Sequence, residues 1–213
     1  MTVLTPRFTS AVDYAREAHV LHFRKGTSIP YLSHLLGVAS LVLEYGGTED
    51  QAIAALLHDV LEDCGDEHEV PIRDQFGDAV IAIVLDCTDG TAGEKSSATT
   101  QEAKYTDWQR RKHAYLAHLA ETPVSSLLVS ACDKLHNARA ILTDLQGDVG
   151  IGVFDRFTAR RDGTLQYYES LSRVFLKRLA PHHPRLHELA RELDRTVNEM
   201  HMLAGVPSRH PLD

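Results

Sequence analysis

The stretch AALLHDVLED, from Ala54 to Asp63, combines an apolar helical pattern with a dense set of polar side chains. His58 and Asp59 are adjacent, and Glu62 and Asp63 follow one helical turn later. A helix brings residues three and four apart onto one face, so the three acidic side chains are predicted to crowd together. Charged groups in a buried run must be paired or bound to a metal. The stretch therefore indicates a buried cation site or, as the alternative, a solvated acidic helix end.

Two other segments carry side chains of the same chemistry. His34 opens a predicted helix over 34–45, and Asp133 lies in a long predicted helix over 125–145, four residues before Asn137 and on a face away from its leucine stripe. With His58 and Asp59, these residues would form a nitrogen and oxygen site suited to Mn²⁺, Fe²⁺, Zn²⁺ or Ni²⁺. The set has no thiolate, which argues against a structural zinc site. Its four ligands would leave positions open on a six-coordinate metal, as metal-assisted hydrolysis requires.

Helical periodicity continues through the chain and predicts an all-α protein, a single domain over residues 1–213, with its core at about 8–180 and a C-terminal helix at about 184–202. Ser10 with Asp13 resembles a capping box for the first helix, and Thr48 can cap the third with Gln51, in a helix predicted to end at Gly65. The β-branched run 79–87 is interpreted as helix because no second strand candidate is long enough to pair with it. The Gly, Ser and Thr content of residues 89–100 predicts a loop.

Composition limits the classes of function. The hydrophobic fraction of 43% and charged fraction of 24% are typical of a soluble globular protein. A net charge of −8 argues against broad nucleic-acid binding and leaves a small anionic ligand as a partner. The three cysteines, Cys64, Cys87 and Cys132, form no CxxC and indicate reduced thiols in a cytoplasmic protein. No stretch is typical of a signal peptide or a membrane span, and self-association is left open.

Three segments carry a family resemblance: RKGTSIPYLSH, LLHDVLED and CDKLHNARAIL. They resemble the signature segments of HD-superfamily phosphohydrolases, and more narrowly the hydrolase domain of the RelA/SpoT family and its stand-alone small alarmone hydrolases, over roughly Phe8 to Leu179. The resemblance implies an all-α HD-type bundle with one metal, most often Mn²⁺. It implies hydrolysis of the 3′-pyrophosphate of (p)ppGpp, an alarmone of the stringent response, to GDP or GTP and pyrophosphate.

The resemblance also implies residue roles. His34, His58, Asp59 and Asp133 match the family's metal ligands, whereas Glu62 and Asp63 match the acid pair that positions and activates the attacking water. Arg24, Lys25 and Asn137 match residues that contact the nucleotide. One departure is Leu35, where the family often has a proline directly after the first ligand histidine. Two alternatives stay open: an HD phosphohydrolase acting on another nucleotide or a phosphorylated dinucleotide cofactor, and a non-catalytic nucleotide-binding module.

Overall fold

The computed structural model describes residues 2–88 and 100–212. These residues contain α-helices and short 3₁₀ helices and no named β-strand, which confirms the all-α prediction. The α-helices are α1 (Pro6–Ala18), α2 (Leu32–Glu44), α3 (Glu49–Leu57), α4 (Val60–Asp63), α5 (Glu69–Phe76), α6 (Asp78–Cys87), α7 (Gln101–Glu121), α8 (Val124–Gln146), α9 (Arg160–Leu179) and α10 (Pro184–Leu203). The 3₁₀ helices span Asp66–His68 and Gly150–Arg156.

The chain divides into two compact units, one of residues 1–95 and 122–133 and the other of residues 96–121 and 134–213. Helix α8 contributes its first part to the first unit and its remainder to the second. The predicted single domain over 1–213 stays a prediction. Among the described residues, every helix is too short or too polar to cross a membrane. The predicted loop at 89–100 lies outside the described residues, apart from Thr100.

Helix α3 is the centre of the first unit. Its residues Ala52 to Leu57 are all buried, and it packs against α1, α2 and α6. The helix begins at the predicted capping box, where the Gln51 N–H donates to Thr48 Oγ1 at 3.3 Å and the Thr48 N–H donates to Gln51 Oε1 at 2.8 Å. It ends at Leu57, which corrects the prediction of one continuous helix to Gly65. His58 and Asp59 therefore lie at the junction between α3 and α4 and not inside a helix.

The first helix also begins elsewhere than its sequence pattern predicted. Helix α1 begins at Pro6, and Thr5 is its N-cap and accepts a hydrogen bond from the Arg7 N–H. Proline at the first helical position lacks an N–H that would have no partner there in any case. The predicted capping box at Ser10 is wrong, because Ser10 lies inside α1 and its hydroxyl donates to the Pro6 carbonyl at 3.1 Å.

The second unit has its core between α9 and α10, with α7 and the second 3₁₀ helix also packed on α9. Leu165, Leu171 and Phe175 of α9 are fully or almost fully buried. The C-terminal tail returns to these helices through Arg209, whose guanidinium donates to Glu169 at 2.5 Å and to Asp194 at 2.6 Å. These charge-assisted bonds hold the tail against α9 and α10.

We expect Thr48→Ala to lower the free energy of unfolding by about 1 kcal/mol, because α3 loses its N-terminal cap. Urea unfolding followed by circular dichroism measures this difference. Ser10→Ala is the matched control. Its hydroxyl caps nothing, so its unfolding free energy should stay within about 0.5 kcal/mol of wild type. A larger loss for Ser10→Ala than for Thr48→Ala would contradict the assignment of the caps.

Candidate metal centre

Two histidines and two aspartates from three separate segments converge inside the first unit. His34 lies in the first turn of α2, His58 is the C-cap of α3, Asp59 is the N-cap of α4, and Asp133 lies in α8. His34, His58 and Asp133 are buried, with 1%, 2% and 5% of their surfaces exposed. The sequence predicted that these residues meet, and the structure brings all four together.

The distances among the four side chains are those of a compact cluster. The Nε2 atom of His34 lies 3.2 Å from Asp133 Oδ1 and 3.6 Å from Asp59 Oδ2. The Nε2 atom of His58 lies 3.0 Å from Asp59 Oδ2 and 3.6 Å from Asp133 Oδ1. Each imidazole thus faces both carboxylates. One ligand atom of each of His34, His58 and Asp59 lies within 4.8 Å of the other two, and Asp133 joins this group through its contacts with the two imidazoles.

The helix junction explains how two neighbours in sequence reach one point. Successive residues of an α-helix point about 100° apart. Asp59, however, has φ −97° and ψ −2°, away from α-helical values and within the sparsely populated region where many active-site residues lie. Helical hydrogen bonding resumes at once, since the Asp63 N–H donates to the Asp59 carbonyl at 2.9 Å. The junction therefore turns His58 and Asp59 toward the same centre.

A hydrogen bond orients the ring of His58. Its Nδ1–H donates to the Ala55 carbonyl at 2.8 Å, which leaves Nε2 as the ring atom that faces the two carboxylates. That Nε2 atom is buried and has no hydrogen-bond partner among the described residues, although Asp59 Oδ2 lies 3.0 Å from it. A buried imidazole nitrogen aimed at two carboxylates is the donor arrangement that a divalent cation requires. The residues present fit such an ion.

The electrostatics of the cluster follow from its burial and its charges. Burial disfavours the imidazolium form of His58, yet the carboxylates of Asp59 and Asp133 outweigh this and hold its pKa well above the usual value. Burial also opposes ionisation of Asp59, but His58 and His34 outweigh it and hold the pKa of Asp59 well below the usual value. Asp59 is therefore an ionised acceptor at neutral pH. A carboxylate in this state is ready to bind a cation.

Tyr31 also belongs to the site, although the sequence segment RKGTSIPYLSH gave it no role of its own. Its hydroxyl donates to Asp59 Oδ2 at 2.6 Å. Burial and the nearby carboxylates of Asp59, Asp63 and Asp133 raise the pKa of Tyr31, so it stays a protonated donor. A tyrosine three residues before His34 was the available signal. It gave no indication of a partner on a distant helix.

The other predicted residues occupy different positions. Glu62 is half-buried and Asp63 is exposed, both on α4. Arg24 and Lys25 lie in the turn from His22 to Tyr31, which is closed by the Tyr31 N–H donating to the His22 carbonyl at 2.9 Å and by the Arg24 N–H donating to Ile29.

Within that turn, the guanidinium carbon of Arg24 lies 5.9 Å from the Tyr31 ring centroid, a cation–π distance that brings it to the edge of the cluster. The exposed side chain of Lys25 follows it. Asn137 is half-buried one turn beyond Asp133 on α8, in the part of that helix that belongs to the second unit.

Comparison with known families identifies the class of protein. A family model described as an HD domain matches residues 11–165. This match covers most of the chain, so the chain belongs to the HD-domain family. The resemblance predicted from the three sequence segments is thereby confirmed.

Individual relatives narrow the comparison. The chain is 34% identical to guanosine-3′,5′-bis(diphosphate) 3′-pyrophosphohydrolase MESH1 of Xenopus tropicalis, over 61% of this chain and 66% of that protein. It is 29% identical to MESH1 of Drosophila melanogaster, over 71% of this chain and 76% of that protein. It is 32% identical to the enzyme of the same activity from Haemophilus influenzae, over 60% of this chain but only 17% of that protein. The chain thus spans less than two thirds of the length of the first and the third of these relatives.

A solved structure supports the fold. It is described as a metazoan ortholog of SpoT that hydrolyzes ppGpp and plays a role in starvation responses. It aligns with a TM-score of 0.67 and 24% sequence identity, covering 97% of this chain and 99% of that one. At this level of identity the likeness concerns the arrangement of the helices.

We expect a divalent ion to stabilise the first unit through the His–Asp cluster. Mn²⁺ at about 100 times its dissociation constant should add about 2.7 kcal/mol, which corresponds to a Tm higher by about 5–10 °C in a chain of this length. Differential scanning calorimetry with Mn²⁺ and with a chelator measures the shift. Asp133→Ala should lose it, whereas Asp50→Asn, which changes an exposed carboxylate, should keep it. An equal shift in both variants would place the ion elsewhere.

Proposed function

We propose that the chain is a metal-dependent phosphohydrolase that removes the 3′-pyrophosphate from (p)ppGpp and yields GDP or GTP and pyrophosphate. The observation that carries the proposal is the position of the buried His58 Nε2 atom. It points toward the carboxylates of Asp59 and Asp133 and has no hydrogen-bond partner among the described residues. Membership of the HD-domain family and the names of the MESH1 relatives support the choice of reaction and substrate.

His34, His58, Asp59 and Asp133 would be the metal ligands, and Mn²⁺ the ion. Imidazole and carboxylate donors suit a borderline-hard divalent ion, and no thiol takes part in this cluster. When bound, the metal supplies a lowered pKa for water and polarises a phosphoryl oxygen. Tyr31 holds the Asp59 carboxylate in place through its short hydrogen bond.

Glu62 and Asp63 would act as the general base and the general acid of the reaction. Helix α4 begins directly after Asp59, so both acids lie within one turn of the cluster. One carboxylate accepts a proton from the attacking water, and the other, when protonated, gives a proton to the departing oxygen. Glu62 is the better base because it is half-buried, whereas Asp63 is exposed to solvent that competes for the proton.

Arg24, Lys25 and Asn137 would contact the nucleotide. Arg24 is held at the edge of Tyr31, and partial desolvation lowers the pKa of the Lys25 ammonium, whose charge a phosphate would stabilise. The net charge of −8 makes local cations of this kind necessary, because the remainder of the protein repels a polyphosphate. Such a substrate would make the cytoplasm the site of action. A homo-oligomer stays an open possibility.

The first test is release of pyrophosphate from ppGpp by the purified chain with Mn²⁺, Zn²⁺ and Mg²⁺ compared side by side. We expect activity with Mn²⁺, and its loss in Asp59→Ala. Glu62→Gln should lower kcat by about 100-fold to 10,000-fold while Mn²⁺ binding is unchanged, because only proton transfer is lost. Glu67→Gln, an exposed glutamate shortly after α4, is the matched control and should be as active as wild type.

A panel of other nucleotides and phosphorylated dinucleotide cofactors under the same conditions tests the substrate. Turnover of another member with none of ppGpp would overturn the proposed substrate and retain the hydrolase. Binding of ppGpp without turnover of any member would overturn the enzyme in favour of a binding module.

Arg24→Ala should raise KM for ppGpp by about tenfold or more and leave kcat within a factor of about three, because a charged hydrogen bond to phosphate contributes about 1.5–3 kcal/mol. Initial rates over a range of ppGpp concentrations separate the two parameters. Arg16→Ala removes an exposed arginine of α1 that pairs with Asp13 and Glu17, and it should change neither. A kcat loss with unchanged KM in Arg24→Ala would contradict a binding role.

A further inference from the structure

A second group of metal-binding side chains lies in the first unit, outside the His–Asp cluster. It consists of His19, the C-cap of α1, His22 in the following turn, and Cys64, the C-cap of α4. One ligand atom from each of these residues lies within 4.8 Å of the other two. The proposed hydrolysis uses none of the three.

Their spacing resembles three corners of a tetrahedral zinc site. His19 Nδ1 lies 3.0 Å from His22 Nδ1, and Cys64 Sγ lies 3.8 Å from His19 Nδ1. With the usual Zn–N and Zn–S bond lengths, tetrahedral ligands are separated by about 3.3 Å between nitrogens and about 3.6 Å between nitrogen and sulfur. Both measured separations lie within about 0.3 Å of these values, and the ligand atoms of His22 and Cys64 lie within 4.8 Å of each other.

The surroundings hold the ligands in place. His19 is 2% exposed, and its ring stacks on Tyr31 with centroids 5.0 Å apart and planes inclined by 26°. Burial and this stacking hold the His19 ring in position beside His22 and Cys64.

The group also has access to solvent. A cavity of about 500 Å³ is lined by His22, Cys64 and Asp63, together with Tyr14, Glu17, Ala18 and His68. It gives an ion a route to the group and room for water as a fourth ligand. Three protein ligands beside an open cavity are the usual form of a zinc site that keeps one position exchangeable.

We propose that His19, His22 and Cys64 form a second metal site, selective for Zn²⁺. Its thiolate is the ligand that distinguishes it from the His–Asp cluster, because sulfur favours Zn²⁺ over Mn²⁺. Tyr31 connects the two sites, since its ring stacks on His19 and its hydroxyl donates to Asp59. A zinc ion bound to His19 would restrain the stacked Tyr31 ring, and the Tyr31 hydroxyl in turn restrains Asp59. Zinc at the second site would therefore affect the position of a ligand of the first site.

Titration of the full chain with Co²⁺ under reducing conditions tests the proposal. A thiolate bound to Co²⁺ gives a charge-transfer absorption band in the near ultraviolet, which the His–Asp cluster cannot produce because it has no sulfur. We expect wild type to bind two ions and to develop this band, and Zn²⁺ to abolish it. Cys64→Ser and, independently, His22→Gln should lose the band and bind one ion.

Two controls separate this result from the proposed hydrolysis. Cys87→Ser, which changes a buried thiol near Ser130, should keep the band, and so should Asp59→Ala, which removes a member of the other cluster. Circular dichroism shows whether each variant is folded. A band that persists in folded Cys64→Ser, or a wild-type chain that binds one Co²⁺ without the band, would overturn the second site whether or not ppGpp is hydrolysed.

Discussion

Burial of two carboxylates beside two imidazoles is the constraint on which the first unit depends. Asp59 and Asp133 would repel each other and lose hydration in an apolar interior, and only the facing histidines or a cation can offset that cost. The polypeptide meets this requirement with three separate segments: the first turn of α2, the junction between α3 and α4, and the interior of α8. The apolar packing of α3 against α1, α2 and α6 keeps those segments in register. The packing of the helices therefore also determines the geometry of the His–Asp cluster.

Much of the helical architecture could be predicted from the sequence, because apolar periodicity directly reports which face of a helix is buried. The capping box at Thr48 and the helical state of the β-branched run near Val84 are confirmed. The capping prediction at Ser10 was wrong because a serine hydroxyl inside a helix can donate to the carbonyl four residues earlier instead of capping a helix N-terminus. The end of α3 was missed because no glycine or proline marks it. Tertiary demands at His58 and Asp59 interrupt a run that is locally favourable to helix.

The His–Asp cluster could be predicted because its residue types are costly to bury and their segments resemble a known family. Tyr31 and the His19, His22 and Cys64 group could not, since their contacts join residues about 28 to 45 positions apart. Contacts between residues so far apart in sequence depend on how α1, α3 and α4 pack together. No local sequence pattern specifies that packing. Cys64 alone indicated only a reduced thiol. In the structure Cys64 lies beside the end of α1, and this position makes it a candidate metal ligand.

The junction between α3 and α4 restricts how this protein can diversify. Inserting or deleting one residue there would rotate everything beyond it by about 100°, so the segment around Leu57 and Val60 can change by substitution but not in length. The tip of the turn from His22 to Tyr31 has no such restriction, because backbone hydrogen bonds close it behind Arg24. Length variation there would move Lys25 while Arg24 stays bonded to Ile29 and Tyr31 stays on Asp59. New specificities can thus arise in that turn without disturbing the ion-binding residues.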